Sequence, residues 1–404
     1  MKNEMMNIEK ELQEVIKGKD FILSEKIQIK KGIALGIDVS IYADPAFNWV
    51  QMREIRLGLE KGLDVSIYTN PDFFWGQMEQ IRLGLQRRLD VSLYANPLFS
   101  VNQMRLIKKG LESGLDVKHY ANTEFNICQM EEIKFGLDKG LDVTGYANPK
   151  FRWGQMEELR LGLESNVDVR QYTNQGFDEY QMEQIRLGLE SNIDISIYTD
   201  PKYTGGQMRE IRLGLEGGLD ISIYSNVEFD SDQMYTIRKG LKEGIDVGIY
   251  TTLKYNHNQM HQIRMGLRSG VDVSIYADTK YGWLQMEQIR LGLERGLDIN
   301  LYSDLKFTFM QMREIRKGLE SGVDVSLFDN PNFNSLKMEE IRKGLELNLD
   351  VSIYAKPEYD ADQMGQLRRG LEYGVDVSAY NSPTFGWYQM EKIRQELEKK
   401  IKGK

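Results

Sequence analysis

A single cysteine, Cys128, stands in 404 residues, so no intrachain disulfide can form. A reducing compartment is the expectation. Histidine is almost absent: His119, His257 and His261 are all there are. His257 and His261 are four apart, a spacing compatible with a metal, but no third ligand accompanies them in sequence, so no metal is expected. His119 and Cys128 are isolated. No apolar run approaches the roughly 20 residues that cross a bilayer, so no membrane association is expected. The opening MKNEMMNIEKELQEV is too charged for a secretory signal. Together these features predict a cytoplasmic protein, in a bacterium or in the host if phage-encoded. Glycine-rich phosphate loops, Ser/His/Asp sets and isolated carboxylate pairs are all missing, which predicts no enzyme and no cofactor. A net charge of −9 disfavours nucleic acid as the default partner.

Proline is scarce too, with eight residues, and every one falls at the same place in a period of 26. QMREIRLGLEKGLDVSIYTNPDFFWG, residues 51–76, recurs without insertion or deletion. Residues 25–388 make 14 units and 389–404 half of another. A fixed period of this size marks an array whose units bury their apolar faces on one another. Positions are counted here from Gln51 as position 1.

Position 24 is Asn, Ser, Asp, Thr or Gly in most units, and Gln follows three residues later, the pattern of a capping box. The aromatic at position 23 and the Met at position 2 are placed as a hydrophobic staple. Helix A is therefore predicted from position 25 to position 11. Position 12 is Gly in ten units and Asn in three, with Arg88 the exception; a left-handed helix end explains this choice. Asp at position 14 in all 14 units reads as the N-cap of a short helix B. Met52, Ile55 and Leu59 form the expected buried stripe of helix A, and Leu63, Val65, Ile67 and Tyr68 the share of helix B. Gly at position 8 in every full unit predicts close approach of a neighbouring element, so Gly188→Leu should wedge two units apart. Residues 1–24, with Met5, Met6, Ile8, Leu12, Val15 and Ile16 at helical spacing, predict an N-terminal capping helix, and 389–404 a C-terminal one. The fold class is all-α: a solenoid or superhelix of 14 two-helix repeats between two caps.

The motif QMxxIRxGLExGLDVSxYAxPxF, across 25–404, resembles short helical repeats in proteins of bacterial mobile elements and phages, especially from gut anaerobes. The resemblance implies a helical solenoid and carries no shared activity. The architecture is similar in kind to tetratricopeptide and armadillo arrays, whose periods differ.

Three sets of residues are candidates for function. A basic residue at position 6 recurs in every A-helix, including Arg56, Arg82, Arg160, Arg186, Arg212 and Arg238; such a ladder suits a phosphate backbone, while Glu at position 10 offers internal i,i+4 pairing. All five tryptophans, Trp49, Trp75, Trp153, Trp283 and Trp387, occupy the otherwise variable position 25, as partner contacts would or as inter-helix packing would. Position 7 lies opposite the core stripe yet is apolar at Leu57, Leu83, Phe135, Leu161, Leu187 and Leu213, which suits an interaction strip in a polar frame. The Tyr at position 18 reads as core. The first expectation is thus a non-catalytic protein-binding scaffold using positions 3, 4, 7, 11 and 25. A phage or mobile-element protein that wraps and inhibits a host defence complex is one alternative. A nucleic-acid array using the position-6 ladder is the other.

Overall fold

The computed structural model describes residues 2–173 and 176–402. Met1 and residues 403–404, the outer ends of the two expected caps, lie outside the described residues, as do Asn174 and Gln175. Among the described residues there are sixteen α-helices, thirteen three-residue 3₁₀ turns and no strand. The chain is an all-α solenoid that divides into two compact bodies, Met1–Met208 and Arg209–Lys404. In the first, α1 (Lys2–Val15) packs on α2 (Leu23–Ala34), α2 on α3 (Trp49–Glu60), and each helix on its successor up to α8 (Glu179–Glu190). In the second, α10 (Ser231–Lys242) packs on α11 (His257–Ser269), and the series continues to α16 (Trp387–Lys402).

Each A-helix starts where its caps dictate. Asn48 accepts from the N–H of Gln51 at 3.1 Å, and the Gln51 side chain accepts from the N–H of Asn48 at 2.9 Å. The same glutamine donates through Nε2 to the carbonyls of Pro71 and Phe73, at 3.0 and 2.7 Å. One side chain thereby ties the start of a helix to the loop that leads into the next. At Phe74 and Arg152 the capping side chain is missing, yet Gln77 and Gln155 still accept from the cap N–H at 2.6 and 2.8 Å, and helices begin at the next residue. Left-handed ends follow at position 12, with φ of 65° at Gly62 and 58° at Arg88.

Helix B is shorter than its five-residue sequence pattern. Asp64 accepts from the N–H of Ser66 at 3.0 Å and opens a 3₁₀ turn of three residues, Val65–Ile67. In residues 143–146 even this relaxes to a turn, although Tyr146 N–H still reaches the Val143 carbonyl at 3.0 Å.

The core is Met at position 2, Ile or Leu at position 5, Val or Ile at position 15 and Tyr at position 18, as in the fully buried Met52, Ile55 and Tyr68. Leu59, expected within the stripe, is only half-buried. The glycine at position 8 does meet a closely approaching neighbouring element, as expected, but that element belongs to its own unit. A Cβ on Gly188 would lie 2.0 Å from the hydroxyl of Tyr198, in the same unit. The glycine admits its own unit's tyrosine, so Gly188→Leu would break a unit from within instead of prising two apart.

At the N-terminus, Leu12 and Phe21 are buried, but Met5 and Met6, expected on the packed face, are exposed. An ion pair between Lys30 and Glu9 joins α1 to α2 at 2.5 Å. Met390 of α16 is fully buried.

Candidate interaction surface

The arginines at position 6 form a ladder that faces inward. Arg56 Nε donates to Gln28 at 3.2 Å, Arg82 to Glu54 at 2.9 Å and Arg160 to Glu132 at 2.8 Å. Arg186 continues the row on Glu158 at 2.8 Å and Arg238 on Glu210 at 2.7 Å. Each acceptor sits at position 4 of the preceding unit, 28 residues back. Nη1 of the same arginine often reaches the position-10 glutamate as well, as in Arg186–Glu190 at 2.9 Å, Arg212–Glu216 at 2.6 Å and the short Arg56–Glu60 contact. Burial pushes the Glu158 carboxyl up against the opposing pull of Arg186. Position 4, expected on the free face, is therefore interior: Glu54 and Gln80 are each 3% exposed. A buried, doubly bonded guanidinium cannot reach a phosphate without leaving its acceptors unpaired, a cost of several kcal/mol (~3–5) per rung.

The tyrosines at position 18 are equally internal. Tyr68 donates to the Glu54 carbonyl at 3.3 Å and Tyr224 to that of Glu210 at 3.1 Å. Burial raises their phenol pKa values, to about 12 at Tyr42 and at Tyr380.

The tryptophans do reach solvent. Trp49, Trp75, Trp153, Trp283 and Trp387 each begin an A-helix, and they are 38–51% exposed. Position 7 is mixed. Phe135 is half-exposed, with Arg160 over its ring at 5.9 Å, while Leu57, Leu83, Leu161, Leu187 and Leu213 are half-buried. Position 7 thus shows solvent only part of each leucine.

A row that sequence reasoning placed in the core is outside it. At position 17, Ile67 and Ile197 in the first body are 37% and 41% exposed. In the second body, Ile249, Ile275, Leu301 and Leu327 come from four consecutive units and are 38–44% exposed. The exposed Asp246, Asp272, Asp298 and Asp324 cap the same four turns, each three residues before the apolar residue. Hydrogen bonds from the Ser274 and Ser326 hydroxyls and backbone N–H groups hold Asp272 and Asp324 below the usual carboxylate range. The signal that could have revealed the row was variability: position 17 admits His119, Gly145 and Gln171, whereas position 15 admits only Val and Ile.

Among the described residues no helix is long and apolar enough to cross a membrane. Comparisons with family models, curated proteins and solved structures return no match for this chain.

Proposed function

We propose that the chain is a non-catalytic scaffold whose second body binds a protein segment that is both apolar and cationic. The supporting observation is that exposed Ile249, Ile275, Leu301 and Leu327 end four consecutive turns that exposed Asp246, Asp272, Asp298 and Asp324 cap. Nothing in the packing of a unit requires a large apolar side chain at position 17, since Gly145 and Gln171 serve there. Exposed apolar side chains repeated on consecutive units of an array mark an interaction site. A row of fixed negative charge selects a basic partner and excludes an acidic one by like-charge repulsion.

The nucleic-acid reading is disfavoured because its arginines already hold internal acceptors. Wrapping and blocking a host defence complex is one biological form the scaffold reading can take; a cationic surface on that complex is what it requires.

The test is fluorescence anisotropy of the full chain with a labelled peptide of alternating Lys and Leu, and with its Glu/Leu counterpart. Saturable binding of the Lys/Leu peptide alone, weakened at least about tenfold by the combined change Ile249→Asn, Ile275→Asn, Leu301→Asn and Leu327→Asn, is expected, since loss of a central apolar anchor costs 1–2 kcal/mol or more. Equal binding of both peptides, or of the variant and the parent, would refute the reading.

A further inference from the structure

Among the described residues one group of metal-ligating side chains converges: Asp230, Asp232 and His257, whose donor atoms all lie within 4.8 Å of one another. The spacing in sequence points to His261 as the partner of His257, but the fold separates their roles. His261 Nδ1 lies 3.3 Å from Arg264 Nη2, and burial together with that guanidinium holds its imidazole below the usual range. His257, the first residue of α11, is instead brought to the start of α10 in the preceding unit. There Asp230 caps the helix, accepting from the Gln233 N–H at 2.7 Å, and Asp232 follows in the first turn.

The geometry points to a divalent transition-metal site formed by the His257 imidazole and the Asp230 and Asp232 carboxylates. One nitrogen and two oxygens supply three protein ligands and leave the remaining positions to water, a donor set that suits Zn²⁺ or Co²⁺. Asp230 can cap and ligate together, because its cap bond uses Oδ1 and a carboxylate has a second oxygen. The helix N-terminus repels a cation with an effective charge of only about half a unit, which two carboxylates outweigh. The ligands belong to adjacent units, so a bound ion joins α10 to α11.

The repeat contains its own control. Asp360 and Asp362 reproduce the acid pair in α15 (Ala361–Glu372), but Trp387 stands where His257 does. His257→Trp therefore copies a side chain that this position already carries in five other units, and the variant should retain the fold.

The experiment is a titration of the untagged, chelator-treated full chain with Co²⁺, followed by visible absorption, and with Zn²⁺, followed by calorimetry. One equivalent per chain is expected, with Kd raised at least about tenfold by His257→Trp or Asp232→Asn, as loss of a metal-site partner produces. The midpoint of thermal unfolding should rise with Co²⁺ in the parent and not in His257→Trp. No saturable binding, or binding that the two variants leave unchanged, would mean an adventitious ion only and would overturn the site.

Discussion

The arginine ladder lapses where its acceptor is lost at Leu106 and again at Thr236, and the two regions deal with the loss differently. At the first, the next cation is Lys134, which turns to Asp138 on its own helix at 2.6 Å. At the second the cation remains an arginine. Arg264 reaches across to Glu243 at 2.6 Å, but its Nε is buried with no partner. In both units the tyrosine hydroxyl has also lost its partner, at Tyr120 and Tyr250. A lysine has a single mobile charge that can follow a new acid, whereas the guanidinium presents a fixed fork that must be met from several directions. Substituting the cation heals the first gap, while substituting only the acid leaves the second partly open. The second gap adjoins the Asp230, Asp232 and His257 cluster.

The sharpest way to break the comparison is to impose the first lapse on an intact rung. Glu158→Leu removes the 2.8 Å partner of Arg186 and leaves Glu190 as its remaining acid. A loss of about 3 kcal/mol in urea unfolding is expected, the low end for stripping one partner from a buried pair. Adding Arg186→Lys should recover about half, since it recreates the arrangement at Lys134. No recovery would mean that the cation is not what heals the gap.

Alkali attacks the whole tyrosine row at once. The phenols are raised in the folded chain, to about 12 at Tyr42 and at Tyr380, chiefly by burial. A raised pKa favours the protonated, folded state, so this stability is complete below the unfolded value of about 10. It falls as pH climbs from there toward the folded values, by up to about 1.4 kcal/mol per pH unit for each tyrosine. Beyond the signal of exposed tyrosines such as Tyr180, Tyr235 and Tyr388, phenolate absorbance should therefore appear together with unfolding above pH ~10, and ionisation of the position-18 row in a still-folded chain would contradict the burial.

Repairing the second lapse is a smaller change. Thr236→Glu places a carboxylate where Arg264 Nε lacks an acceptor, for a gain of about 1–2 kcal/mol in the same assay. A loss would show that this gap is not an electrostatic one. Smallest is the tyrosine pair. Tyr94→Phe removes a 3.2 Å bond to the Gln80 carbonyl and should cost about 1 kcal/mol. Tyr120→Phe removes a hydroxyl without a partner, and Phe328 already occupies this position in another unit. Its cost should stay below about 0.5 kcal/mol.

Local chemistry was legible in the sequence because it acts within a few residues. The Asn48–Gln51 caps, the left-handed Gly62 and Arg88, and the Asp64 turn all sit where residue type and spacing put them. Relations across a unit were not legible. Gln28 and Arg56 are 28 residues apart, and only the fold brings one helix's position 4 against the next helix's position 6. For the same reason the ladder's internal partner is legible in the sequence at Glu60 but not at Gln28. Position 17 misled because an apolar residue beside Val65 and Tyr68 reads as core, yet a three-residue 3₁₀ turn points Ile67 away from both. The candidate face therefore lay among residues that hydrophobicity alone assigned to the interior. Its tolerance of Gln171 was the clue against that.

The central claim is that the repeat's recurring charges hold units together, leaving the variable rows to meet a partner. Exchange of the arginine Nε–H protons, followed by ¹⁵N NMR, tests it directly. The ladder arginines, Arg82, Arg186 and Arg342 among them, should give resolved, slowly exchanging signals that persist when nucleic acid is added. Exchange of those protons as fast as in an unfolded chain, or their displacement by added nucleic acid, would contradict the account.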